Sequence, residues 1–182
     1  MSVDALANDG EGRVAGGSPL GRRATDFIRN ILGQKHITSH PDQISICYPG
    51  HPARDDYESG AAHCYRVKRS SAHVDGLHAE RPEKRRRLRE LHDFILGIPL
   101  DNIEGGAAPF VIWEGSHEIM REALHSAFRG LAPATWGNTD VTAVYHAARK
   151  KVFDTCPLVE VVARGRVLSC APAVPPWPSA LT

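Results

Sequence analysis

The chain has 182 residues and a mass of 19.9 kDa, of which 42% are hydrophobic and 24% charged. These proportions exclude wholesale disorder, a collagen-like repeat and a disulfide miniprotein, and the length suits one domain with a sizeable core. A formal net charge of +1 supplies no global pull toward nucleic acid, and no run approaches the roughly 18 apolar residues of a membrane helix, so neither partner is expected.

The four cysteines, Cys47, Cys64, Cys156 and Cys170, show no CxxC spacing. The opening "MSVDALANDGEGRVAGGSPLG" has no apolar segment of the kind a secretory leader carries. A reduced, cytoplasmic protein is the expectation. Residues 1–23, rich in Gly, Asp, Ser and Ala, read as a mobile tail, because they offer little apolar surface to bury.

From Ala24 to Leu32, the recurrence of Phe27, Ile28, Ile31 and Leu32 predicts a short helix that Thr25 or Asp26 could cap. "QISICYPG" places Ile44, Ile46 and Tyr48 on one side of a strand that stops at Pro49 and Gly50. "HCYRVKR" also alternates, with Tyr65, Val67 and Arg69 on one side, and is read as a strand. The following "SSAHVDGLH" sets His73 and Asp75 two residues apart, on one side of the chain if it is extended. An imidazole and a carboxylate so placed can reach one ion together; equally, "DG" is a strong turn signal in a surface loop.

Next comes the basic run "RPEKRRRLRE", Arg81 to Glu90. It reads either as a phosphate-binding patch or, preferably, as a solvated helix with Pro82 in its first turn and Leu88 and Leu91 facing inward. Further strands are predicted at Phe94 to Leu100, Phe110 to Glu114, Leu158 to Ala163 and Arg166 to Cys170. Ser116 is predicted to cap a helix whose stripe is Met120, Ala123, Leu124, Ala127 and Phe128, closed near Gly130. Asp140 opens another, with Val141, Val144, Tyr145, Ala148 and Val152 on one face and Arg149, Lys150 and Lys151 toward its C-terminal end. Many short strands with few helices predict a mainly β barrel or sandwich with helical insertions.

"GAAPFVIWEGSHEIMR", Gly106 to Arg121, resembles the strand and "GSH" turn of the phytanoyl-CoA dioxygenase family, with Glu114 where the family usually has proline. It follows the His73–Asp75 pair in the family's order. The resemblance covers roughly Gln43 to Arg166. It implies a double-stranded β-helix (jelly-roll, cupin-like) forming one domain over residues 24–167. It also implies Fe(II) and 2-oxoglutarate as cofactor and cosubstrate, dioxygen as co-reactant and oxidative hydroxylation of a small molecule. His73 and Asp75 then correspond to the first two iron ligands; His117 corresponds to the turn histidine, which in the family is not a ligand. Two histidines and a carboxylate on one face of a metal, with open positions opposite, suit such Fe(II) chemistry.

The family's third ligand is a histidine in an "HG" near the last barrel strand, followed by an arginine for 2-oxoglutarate. Beyond Arg166 this chain has neither, and "VLSCAPAVPPWPSALT" is too proline-rich for a central strand. Residues 168–182 therefore read as an aberrant Pro-rich tail, and the β-helix as incomplete in its C-terminal strands. A frameshift would account for this, since Trp177 and Pro178 read one base later force a glycine and permit a histidine before it. His117, His125 and His146 are the other candidates for the missing donor, the latter two read as half-exposed helical residues. The alternative to an enzyme is a catalytically incomplete homologue that binds or interacts.

Overall fold

The computed structural model describes residues 2–6, 8–9, 12–14, 16–30, 42–45, 53–70, 72–92, 94–98, 110–161 and 168–170. The chain divides into two compact units, Met1–Gly50 and His51–Thr182. In the first unit, β1 (Ser2–Leu6) runs antiparallel to β2 (Asp42–Ser45), with Val3 opposite Ile44. Residues 1–23 thus hold a paired strand that the sequence reading missed, because its partner lies far along the chain. The first helix, α1 (Arg22–Asn30), buries Ala24 and Ile28, one helical turn apart, while Phe27 is exposed. Ile46 to Gly50, the rest of the second predicted strand, lies outside the described residues.

The second unit opens with α2 (Gly60–Arg69), where the sequence predicted a strand. The alternation in "HCYRVKR" fits both periods, since Tyr65 and Arg69 also share a helical face at i, i+4. What decides for helix is local chemistry. Ser59 sits at the N-cap and its hydroxyl accepts from the Ala62 amide at 3.1 Å, while Ser70 ends the helix in a left-handed conformation.

The basic run is not a helix. It forms the turn and second strand of a hairpin, β3 (Leu77–Glu80) antiparallel to β4 (Arg85–Leu88), with Leu77 opposite Leu88 and His78 opposite Arg87. Pro82 disfavours helical geometry at Arg81, and Lys84 closes the turn in the left-handed region. The Leu77–Leu88 pair is buried, whereas Leu91, predicted to face inward, is exposed. The arginines find local partners. Arg85 pairs with Asp140 at 3.5 Å, Arg89 pairs with Glu80, and Arg87 Nε lies 3.4 Å from Glu80 Oε2 as an ion pair without hydrogen-bond alignment.

Two further strand pairs follow: β5 (Ile95–Gly97) with β8 (Leu168–Cys170), and β6 (Phe110–Trp113) with β7 (Leu158–Val161), both antiparallel. Among the described residues the strands form four separate two-stranded sheets and no closed barrel. The rest of the proline-rich tail, residues 171–182, lies outside the described residues, as do 99–109 and 162–167.

The core of this unit forms where Leu77, Leu88 and Trp113 meet α3 (Ser116–Phe128), a 3₁₀ helix (Pro133–Asn138) and α4 (Thr142–Thr155). The stripe predicted for α3 is the buried face, with Met120, Leu124 and Phe128 inside. Phe128 stacks on Trp136 at 4.8 Å. Ser116 is the first helical residue rather than the cap; Gly115 holds that position at φ 80°, with no side-chain cap bond. Asp140, predicted to open α4, lies two residues ahead of it, and Val141 holds the N-cap; Asp140 Oδ1 accepts from the Thr142 amide at 2.9 Å. The hairpin is tied to this end of α4, because the Thr142 hydroxyl accepts from the Arg86 amide at 2.7 Å and the Val141 amide donates to the Arg86 carbonyl at 3.0 Å. No helix among the described residues is long and apolar enough to cross a membrane.

Candidate metal centre

The segment between α2 and β3 alternates as an extended chain should. Ala72 and Val74 pack against the core, while His73 and Asp75 point away from it. Both polar side chains consequently stand on the same side, with His73 Nε2 3.3 Å from Asp75 Oδ1. Two donors bound at right angles to one ion, with bonds of roughly 2.1 Å, stand about 3.0 Å apart, so the pair fits two neighbouring coordination positions. Their side chains are 68% and 53% exposed, which leaves the opposite side of such an ion open to solvent or ligand.

The backbone below the pair is fixed by Asp75–Gly76, which also makes the turn that "DG" signals. Gly76 has φ +76°, and a Cβ there would overlap the Glu90 carbonyl, so only glycine fits. Its own carbonyl accepts from the Arg89 amide at 2.8 Å and the Glu90 amide at 3.3 Å. At the other end of the segment, the Tyr65 hydroxyl donates to the Ala72 carbonyl at 2.5 Å. The His73–Asp75 stretch is thus held from α2 on one side and from the end of β4 on the other.

The hydrogen bond from His73 holds the Asp75 carboxyl below its ordinary value of 3.8; partial desolvation opposes this, and the charges of His73 and His92 add to it. Asp75 is therefore ionised at neutral pH and available as a donor. Beside it lies a second polar group that the sequence reading missed. Glu90 Oε2 is 2.9 Å from His92 Nε2, and Glu90 Oε1 is 3.6 Å from His78 Nε2. The signal was present, since Glu90 and His92 repeat the i, i+2 spacing of His73 and Asp75. It became legible only once the basic run was known to fold back as β4.

His117 heads α3, its Nε2 3.1 Å from Glu118 Oε1, while His125 and His146 lie on exposed faces of α3 and α4. The structure does not bring any of the three to the His73–Asp75 pair as a third donor. Among the described residues, no group of three His, Cys, Asp or Glu side chains is placed to hold one metal ion. Among the described residues, His73 and Asp75 therefore offer two donors of the kind a metal ion takes, with no third beside them. Compared with family models, curated proteins and solved structures, the chain gives no match.

Proposed function

We propose that this chain acts as an Fe(II)- and 2-oxoglutarate-dependent dioxygenase that hydroxylates a small molecule in the cytoplasm, with His73 and Asp75 as its protein donors to iron. The observation that carries this reading is the 3.3 Å approach of an imidazole nitrogen and a carboxylate oxygen on an open rim, upstream of the Gly115–Ser116–His117 turn. Bound Fe(II), with 2-oxoglutarate and dioxygen, would supply oxidative hydroxylation. The chain's own contribution is orientation. The Gly76 turn fixes where Asp75 stands, the Tyr65 hydroxyl fixes the chain ahead of His73, and an ionised Asp75 keeps its donor oxygens free of a proton. The incomplete double-stranded β-helix belongs to the same proposal.

A second reading, a catalytically incomplete homologue that works by binding, is favoured by one observation: His92, the histidine whose charge Asp75 feels beyond His73, is engaged by Glu90. Anaerobic titration of the full chain with ferrous iron and 2-oxoglutarate separates the two. The dioxygenase reading expects a visible charge-transfer band that His73→Ala and Asp75→Ala each abolish. A protein that stays colourless at millimolar iron is the binding homologue.

A further inference from the structure

α2 and α4 flank a shallow, open cavity of about 280 Å³ whose walls carry more positive charge than the helices neutralise. Arg69 reaches into it from α2, its guanidinium carbon 4.5 Å from the Phe153 ring centre; Arg149 comes from α4, 4.8 Å from the Tyr65 ring and 5.2 Å from that of Tyr145. A guanidinium laid over an aromatic face is fixed in orientation; Arg149 also hydrogen-bonds the Tyr65 side chain, and guanidinium groups held in this way can present their remaining N–H donors to an oxyanion.

Arg66, Arg85, Arg87, Arg89 and Arg121 each meet a carboxylate, whereas among the described residues neither Arg69 nor Arg149 has one within 4.0 Å; Arg54, Arg81, Arg86 and Arg129 also lack one, but of these six only Arg69 and Arg149 line the cavity. Lys150 does not alter the balance, because Asp154 holds its ammonium at 2.5 Å. Two guanidinium charges are left facing one cavity, with Arg86 close behind, 4.4 Å over the Tyr145 ring. His146 on the same wall registers this field: burial, then the charges of Arg149 and Arg86, push its imidazole below the ordinary value of 6.5. The two uncompensated charges match a dianion, and the volume admits a phosphate group with a few attached atoms rather than a large ligand.

We propose that this cavity is a binding site for a phosphate dianion, bridged between Arg69 and Arg149 and presented either as a small phosphomonoester or as free phosphate. The site is separate from the His73–Asp75 pair and does not depend on metal.

The test is an NMR titration of the full chain, following the His146 ring with inorganic phosphate and with glycerol 3-phosphate, each against sodium chloride at matched ionic strength. The expected result is saturable movement of His146, with its pKa rising as the bound anion offsets the arginine charges. Arg69→Gln and Arg149→Gln should each weaken binding about tenfold or more, the scale of a lost charge-assisted hydrogen bond. Arg149→Lys should recover part of the loss, and Arg85→Gln, on the hairpin, should leave affinity unchanged. Tighter binding of the monoester assigns the site to phosphorylated small molecules; tighter binding of inorganic phosphate assigns it to the free ion. Movement that chloride reproduces, or that survives unchanged in Arg69→Gln and Arg149→Gln proteins with intact amide spectra, overturns the proposal.

Discussion

α2 and α4 stand beside one another and are held by different physics. α4 buries Tyr145, Ala148 and Val152 along one stripe, with Val141 fully buried just ahead of it. α2 buries no residue. It persists through a hydroxyl cap at Ser59, an Arg66–Glu58 ion pair at 2.8 Å, the Tyr65 bond to Ala72 and the stacking of Arg69 on Phe153. One helix is held by displaced water and the other by discrete polar and aromatic ties, and only the first kind leaves a periodic trace in the sequence.

The largest effect that sharpens this contrast is expected in α4. Tyr145→Ala removes a fully buried ring and should cost about 3–5 kcal/mol in urea unfolding followed by tryptophan emission. A cost below about 1 kcal/mol would mean that burial does not hold α4 and would erase the distinction. In α2, Ser59→Ala should cost about 1 kcal/mol in the same assay, while Ser59→Gly should cost only a few tenths. Equal, negligible losses in both variants would show that the cap is not what holds α2.

The smallest effect lies on the rim beyond α2. The folded state holds the Asp75 carboxyl below 3.8, so its contribution is present above that pH and fades as pH falls through the lower folded value. With both side chains more than half exposed, the contribution should stay under about 1 kcal/mol. Asp75→Asn should therefore be slightly less stable than the parent at pH 7 and indistinguishable from it near pH 2. A difference that persists at pH 2 would trace to something other than the His73 pairing.

The same contrast explains what could be read in advance. The stripes of α3 and α4 were legible because burial repeats with the helical period, and the approach of His73 to Asp75 followed from alternation between Ala72 and Val74. α2 is not legible as a helix in "HCYRVKR" because what decides it lies outside that segment, in the Ser59 cap and the left-handed Ser70, with further ties to Ala72 and Phe153. The basic run was misread for a related reason. Arg, Lys, Glu and Leu all favour helices, while the contact that overrules them, Leu77 against Leu88, joins residues on two strands. Glu90 and His92 stayed hidden with it, since their nearness to the rim depends on that fold-back.

The lock between Gly76 and the Arg89–Glu90 backbone closes the hairpin at its base, at the opposite end of the two paired strands from where the chain turns at Arg81 to Lys84. The loop tip is therefore mechanically insulated from the rim. Residues could be grafted into or trimmed from the tip while the base stays latched, so this protein offers a site where a peptide tag or a second module can be inserted without disturbing the histidine and aspartate below it.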